Sequence, residues 1–489
     1  MGELLFMQKN KTPVVIGVSS ITQKGSYEDL DEALVLMDIA AKNAIKDCGN
    51  NDIKKYIDEI SIPKGYWKYR DPGKWIAENN NIKNIKTSIT KVGVLQQNLI
   101  NKAVLKVQEG SINASLIIGG ESRYKRVIAS KLGKKYIETE LNTDPDKYIK
   151  SESELRLDEE EQVLGEMAVG YYSILESAYR ASKKNSIKDH NKNIAKLYEG
   201  FSKIAVNNKN SWVSEPLTNK DILEASNTNP KQSFPYNKFH CTTWNVNQSS
   251  ALIICSEDIA DKLNIAYEKR VYPLASSESN NMIPTLLRRK LIDPLGMKLA
   301  AKYILDFCKT YNIQPNLYDL YSCFPVAVQM FADALNLKNK QDLTVTGGMA
   351  FAGGPLNHYV MTSTVKMIEE IRNDISKVGI VTGVSGMMTK QSFALWAKKP
   401  LEKFYFKDVS QDAHSLDKPL KISNQSNGKA VIVGYTILDD QKGPKAILYV
   451  EDLNNDRKIL ISRDNKYIND MEKNEWVGKE IDFNGRYLV

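Results

Sequence analysis

Apolar residues fall along the chain in two alternating patterns. Residues 13–18 (PVVIGV) make the unbroken apolar run of a buried strand. From about 27 to 47, Leu34, Met37, Ala40 and Ala44 recur at helical spacing. Cys48-Gly49 follows, and glycine readily takes the left-handed conformation that ends a helix. Residues 60–62 read as a second short strand. Val94, Leu95, Leu99, Ile100, Ala103, Val104 and Val107 repeat with helical period up to Gly110. Residues 115–118 (SLII) then run as a strand into Gly119-Gly120-Glu121-Ser122. Strands and helices in alternation predict α/β layering.

Between 123 and 235 the pattern changes. Arg123, Lys125, Arg126, Lys131, Lys134 and Lys135 form a basic stretch, and an acidic one follows up to Glu161. Helical segments near 163–182 and 190–207 predict a largely helical insertion. Strand pattern returns at 248–255, with a helix near 257–263. A second α/β unit starts at Val271. It holds a helix at 297–309, a strand at 317–321 and a helix after Pro325. A strand at 343–346 is expected to open into Gly347-Gly348 and Gly353-Gly354-Pro355. The next helix carries Val360, Met361, Thr364, Val365, Ile368 and Ile371, and a strand at 379–382 meets Gly383 and Gly386. Each half ends in a strand that runs into small residues, which hints at an internal duplication without long shared identity. Residues 403–428 read as a polar linker. Residues 429–489 read as β-rich, with candidate strands in VIVGYTIL, AILYVEDL, RKILISR and EIDFNGRYLV.

At 489 residues the chain calls for more than one domain, and 42% hydrophobic residues suffice for a large core. No apolar run is long enough to span a bilayer, and the first residues are too short an apolar stretch for a signal peptide. A cytoplasmic protein is expected. The cysteines Cys48, Cys241, Cys255, Cys308 and Cys323 are odd in number and lack CxxC spacing, which disfavours a disulfide framework or structural zinc. Four histidines are a sparse supply for a metal site. The net charge of +8 comes from lysines spread over the whole chain. Such a spread suits a solvated surface more than a nucleic-acid-binding tail, though it also suits a polyanionic ligand. From Lys421 to Val489 there are eleven Lys plus Arg and eleven Asp plus Glu. That balance gives no cationic groove for nucleic acid and favours an interaction or packing module.

Four segments carry a family resemblance. VGVLQQNLINKAVLKVQEG followed by LIIGGES resembles the thiolase stretch that holds the nucleophilic cysteine. DLYSCF is similar to the Asn-Glu-Ala-Phe or His-Asp-Cys-Phe motif, TGGMAFAGGP to the glycine-rich motif ending in Gly-His-Pro, and GIVTGVSGMM to the loop of the second cysteine. They occur in thiolase order across residues 13–397. The chain thus resembles the thiolase superfamily, the acetyl-CoA acetyltransferase-like proteins. GYWKYRDPG, LQQNLI, FPYNKFHCTTWNVNQ, GGPLNHYVM and VTGVSGMMTK are similar in character to its branch of thiolase-like proteins of type 1, which carry an additional C-terminal domain. The resemblance implies an α/β thiolase fold of duplicated βαβαβαββ halves in five αβαβα layers. It places the N-terminal half at 1–122 and 236–266, a helical loop domain at 123–235 and the C-terminal half at 267–402. A linker at 403–428 and a small OB-like β-domain at 429–489 complete it.

A thiolase needs a thiolate at a helix N-terminus, a histidine to activate it, a second cysteine to move the substrate proton, and oxyanion holes. By the resemblance, the nucleophile position falls on Gly93, between Val92 and Val94. The Asn-Glu pair falls on Tyr321 and Ser322, the Gly-His-Pro histidine on Gly354 and the second cysteine on Gly383. None of these side chains can do the job expected there. Cys323, His240 and His358 are the substitutes to weigh. Cys323 reads as a small core residue or a stand-in thiol. His240 next to Cys241 reads as a loop histidine or a stand-in base. His358 reads either as reaching the pocket mouth or as facing solvent. Cys48, Cys255 and Cys308 read as structural. Trp67, Trp75, Trp212 and Trp244 read as core or interface aromatics, or as pocket lining.

The resemblance implies acyltransferase relatives in lipid metabolism, and coenzyme A or an acyl-CoA as ligand, with no tightly bound cofactor and no metal. Arg123, Lys125 and Arg126 would meet the CoA phosphates, and Gly347, Gly348 and Gly353 would let backbone approach the ligand. A homodimer through the N-terminal half is expected by the same resemblance. The alternative is a non-catalytic partner or scaffold subunit with a degenerate pocket.

Overall fold

The strand that passes through Gly119 and Gly120 is buried on both faces over its whole length, so packed layers must lie above and below it. They do in the computed structural model, which describes residues 11–151, 156–338 and 342–489. The first half runs β1 (Pro13–Thr22), α1 (Ala33–Cys48), β2 (Ile57–Pro63), α2 (Pro72–Asn79), β3 (Lys86–Thr90), α3 (Gln96–Glu109) and β4 (Ala114–Ser122). It then leaves its sheet for α4 (Arg123–Lys131), β5 (Lys147–Ile149), α5 (Asp158–Leu164), α6 (Ala168–Ser182), α7 (Ile187–Val206), α8 (Asn219–Leu223), β6 (Lys231–Ser233) and β7 (Tyr236–Asn237). It returns with β8 (Asn247–Ser256) and α9 (Glu257–Lys262). The sheet order is β1-β8-β4-β2-β3-β5.

The second half runs β9 (Tyr272–Asn280), α10 (Leu295–Thr310), β10 (Leu317–Asp319), α11 (Pro325–Ala334), α12 (Tyr359–Asn373), β11 (Val378–Ser385), β12 (Lys390–Ala397), β13 (Tyr405–Asp408) and α13 (Ser410–Leu416). Its sheet order is β10-β11-β12-β9-β13. α3 and α12 pack against both sheets, α1 covers the outside of the first and α10 the outside of the second. The result is five layers, helix–sheet–helix–sheet–helix. α3 can occupy the middle layer because its polar residues are tied down. Gln96 accepts from the Val360 amide at 2.8 Å, and Asn98 and Asn101 donate to Glu278.

Two expectations need correction. The strand expected at 343–346 does not form. The Asp319 carboxylate at the end of β10 draws the amides of Val345 and Thr346 and the hydroxyls of Thr344 and Thr346. Those amides are then spent on a side chain and not on a neighbouring strand. The stretch 403–428 is not all irregular either, since β13 pairs with β9 and α13 packs behind it. The strand β12, which the apolar run SFALWA allows, extends the second sheet between β11 and β9.

The last residues close a five-stranded barrel of β14 (Asn427–Asp440), β15 (Gly443–Asp452), β16 (Arg457–Ser462), β18 (Tyr487–Leu488) and β17 (Glu480–Asn484), with α14 (Asn465–Met471) beside it. The barrel has its own core around Tyr435, Leu448, Leu460 and Trp476, while Ile447, Tyr449 and Ile459 join the main core. Buried polar bonds fix the docking. Arg180 of α6 donates to Glu475 at 2.7 Å and to the Tyr435 hydroxyl at 2.9 Å. Glu160 accepts from the Leu286 amide and from the Tyr449 hydroxyl. Among the described residues no helix is long and apolar enough to cross a membrane.

Candidate active site

The positions that the thiolase comparison picks out come from four elements. The turn before α3 brings Gly93, the segment between β10 and α11 brings Tyr321, Ser322 and Cys323, the loop before α12 brings Gly354, and β11 brings Gly383. Pro325 at the first position of α11 ends the second segment, where its missing amide costs nothing.

Each glycine is closed over by a neighbour. A Cβ at Gly93 would stand 3.1 Å from the Ser151 Cβ, and its backbone sits at φ +102°, a conformation that side chains disfavour. The Gly93 carbonyl accepts from the ammonium of Lys390, which also donates to the Ser151 hydroxyl at 2.8 Å. A Cβ at Gly354 would lie 2.2 Å from the Thr242 methyl, and one at Gly383 would lie 2.6 Å from the Ser392 hydroxyl. Tyr321 is buried edge-on against Tyr359, and the Ser322 hydroxyl accepts from the Met349 amide.

The substitutes are buried and quiet. Cys323 is enclosed, and burial pushes its thiol up to about 12, so it stays protonated at neutral pH and is a poor nucleophile. His240 lies between Tyr198 and Tyr236. Its Nδ1 accepts from the Asn237 amide, so the neutral ring carries its proton on Nε2 and has no free lone pair for a base's work. Burial lowers its pKa to about 4. His358 does not face solvent. It is 2% exposed, packs under Gly119, and burial lowers its pKa to about 3. Nε2 of both rings lacks a hydrogen-bond partner among the described residues.

The expected phosphate-binding residues are already engaged. The Arg123 guanidinium lies 3.7 Å from the Trp244 ring centre and 4.5 Å from that of Tyr66, and donates to Asn245. Lys125 donates to the Leu30 carbonyl, and Arg126 pairs with Glu138 at 2.7 Å. Gly347 and Gly348 face Ala205 and Phe201 of α7, and Gly353 faces Gln248, so these three meet protein on their Cβ sides. Trp67 is core, its indole donating to the Gly120 carbonyl, and Trp75 packs partly buried against the core. Trp212 meets Tyr124 edge-on. Among the described residues no group of three His, Cys, Asp or Glu could hold a metal ion.

Sequence reasoning missed Lys390, Thr242 and Asp319. Lys390 carries a readable signal, a lone lysine at the head of an apolar strand just after a glycine loop. Thr242 carries none, because nothing in a threonine's sequence surroundings says which glycine it will cover.

No family model matches the sequence, and no curated protein matches it. Solved structures do. A monomeric SCP2-thiolase-like protein type 1 from Mycobacterium smegmatis superposes with a TM-score of 0.81 at 23% identity, over 97% of each chain. The Ltp2-ChsH2(DUF35) aldolase gives 0.59 at 13% identity, over 80% of this chain and 99% of its own. The Acat5 thiolase from Ascaris suum, in complex with coenzyme A, gives 0.53 at 12% identity, over 79% of this chain and 100% of its own. The fold is that of the thiolases, and its likeness to the type 1 protein runs through the C-terminal barrel.

Proposed function

We propose that this thiolase-fold chain binds coenzyme A or an acyl-CoA thioester and does not carry out thiolysis or condensation through a cysteine. One observation carries the second half of that reading. By the family resemblance Gly93, Gly354 and Gly383 take the positions of the nucleophile, the activating histidine and the second cysteine, and in the structure they are covered by Ser151, Thr242 and Ser392 respectively. Without a thiolate and its base, the covalent acyl-enzyme route has no first step. The ligand half is supported by the fold alone, through the relative whose structure holds coenzyme A. Acyl transfer or another thioester step by a different route remains within this proposal. A thiolase-fold relative that is an aldolase supports a fold not tied to thiolysis. A cytoplasmic place in lipid metabolism, an OB-like reading of the barrel and the absence of nucleic-acid partners belong to the same reading. Titration calorimetry with coenzyme A and acetyl-CoA tests it. Saturable heat with no thiolysis of acetoacetyl-CoA is the expected result, and no heat at millimolar ligand overturns it.

A second reading, a non-catalytic partner or scaffold subunit, is favoured by the cations. Arg123, Lys125 and Arg126 are each held by protein groups, so the phosphates of a nucleotide would have to displace those bonds. Co-purification with an enzyme subunit that is active only in the complex would decide for this reading.

A further inference from the structure

We propose that residues 134–151 form a strap, latched by exposed ion pairs, whose release opens the way to Gly93 and Lys390. The latch stands on contacts that need no ligand. That the opening admits a thioester rests on the reading above.

Not one residue from 134 to 151 is buried. Ile137 and Tyr148 are exposed, and Leu141 alone packs half-buried against the main core. So little apolar contact cannot hold a segment of this length in place, and polar bonds do it instead. Lys134 pairs with Glu28, Glu138 with Arg126 at 2.7 Å, and Asp144 with Arg70, whose Nε donates at 2.8 Å. Between these pairs, Glu32 accepts from the amide and hydroxyl of Thr139, and Glu138 also accepts from the Lys68 amide at 2.9 Å. Toward the end, Asp146 accepts from the Thr87 amide at 2.7 Å, and the Ile149 carbonyl accepts from the Lys91 amide at 2.8 Å. Exposed ion pairs are individually weak and are screened by salt. A segment held mainly by such bonds opens locally at a small fraction of the cost of unfolding the sheet it lies on.

The strap ends on the site. Gly93 is buried although Lys91 and Val92 just before it are exposed. Among the described residues, Ser151 alone comes within 4 Å of a Cβ built at Gly93. The Ser151 hydroxyl also accepts from the ammonium of Lys390, a residue only 2% exposed. The cover over Gly93 and Lys390 is therefore the last residue of the strap. The other two glycines differ. Gly354 is closed by Thr242 and Met349, and Gly383 by Ser392 of β12 and Val360 of α12, all from the body of the fold. Of the three closures, only the one at Gly93 can lift while the core stays folded.

Hydrogen exchange of the full-length protein, without ligand, tests the latch. The amides that bond across the strap, those of Lys68, Thr87, Lys91 and Thr139, are expected to exchange about tenfold or more faster than the amides of β4. Raising salt to about 1 M should speed them about threefold or more and leave β4 unchanged. Arg70→Ala and Lys134→Ala, each removing one exposed pair, should do the same at low salt. Access is read separately, by peptide mass after treatment with an amine-reactive reagent, and Lys390 should be modified faster in both variants than in the wild type. Three results overturn the proposal. They are cross-strap amides as protected as those of β4, exchange that neither salt nor the variants alter, and Lys390 modified at one rate in all three proteins. Should a variant not fold, the salt dependence of the wild type, in exchange and in Lys390 modification, decides alone. None of these measurements uses coenzyme A, so a failed latch leaves the ligand reading standing, and absent coenzyme A heat leaves the latch.

Discussion

The Lys390 ammonium donates to the Gly93 carbonyl at 2.5 Å, so a buried cation from β12 sits against the residue to which the family resemblance assigns the nucleophile position. Lys390 also ties Ser151 to the same spot, and Ser151 covers the Gly93 Cα. Restoring cysteine here therefore does not restore a thiolase. Gly93→Cys must hold a side chain at φ +102° and 3.1 Å from Ser151, a strain of about 1–3 kcal/mol. The expected outcome is a lowered midpoint in denaturant unfolding and no thiolysis of acetoacetyl-CoA. Measurable turnover by this single variant would show that a working base is still present.

Thr242 and Gly354 form the tightest closure of the three. Gly354→Ala drives a methyl to 2.2 Å from Thr242 Cγ2. Overpacking of that kind costs about 1–3 kcal/mol. Thr242→Ser removes that methyl and keeps the hydroxyl that donates to the Cys323 carbonyl at 3.1 Å. The double variant should recover most of the loss, with a coupling energy of about 1 kcal/mol or more. Additive losses in the cycle would mean that the contact is not what excludes a larger residue.

Where the sequence was readable and where it was not follows from the range of the forces. The helix of Leu99, Ala103 and Val107 and the strand at 115–118 are local patterns, and both stand in the structure as α3 and β4. The glycines at 93, 354 and 383 were equally visible in the sequence, but what covers each of them was not. Nor was the fate of residues 343–346. Their apolar-polar alternation suits a strand, but Asp319, more than twenty residues earlier, takes their amides. The environment of Arg123 was hidden for the same reason, since Tyr66 and Trp244 reach it from distant segments.

The two buried imidazoles set a pH dependence. A histidine near 6.5 when unfolded falls to about 4 at His240 and to about 3 at His358, because burial penalises the charged ring. Below pH 6.5 the unfolded chain binds protons that the folded chain refuses. The stability these rings contribute is therefore complete above about pH 6.5 and is lost as pH falls toward 4. With about 1.36 kcal/mol per pH unit per group, the two together remove up to about 2.7 kcal/mol per unit in that window. Denaturant unfolding at pH 7 and pH 5 measures it. His358→Gln should halve the slope, and the comparison isolates the ring because Asp319 and Glu278, whose pKa values burial raises, titrate in both proteins. A slope that His358→Gln leaves unchanged would place the ring outside the buried core.

The edge of the first sheet bears on assembly. β5 lies parallel against β3, with Ser88, Ile89 and Thr90 opposite Lys147, Tyr148 and Ile149. The insertion thereby spends the hydrogen-bonding groups that an open β3 would offer to a second copy. A homodimer through the N-terminal half, the expectation from the family resemblance, would have to displace β5 first. Only three residue pairs hold β5, but Thr87 adds a bond from its amide to Asp146 at 2.7 Å just before it. A two-fold assembly by sheet extension is therefore disfavoured, and the expected species is a monomer of 55.2 kDa by sedimentation equilibrium at micromolar protein. Asp146→Ala removes the bond that anchors β5 and should raise the tendency to self-associate. A stable wild-type dimer, with amides 86–90 protected from hydrogen exchange only in the dimer, would mean that β5 gives way to the second copy.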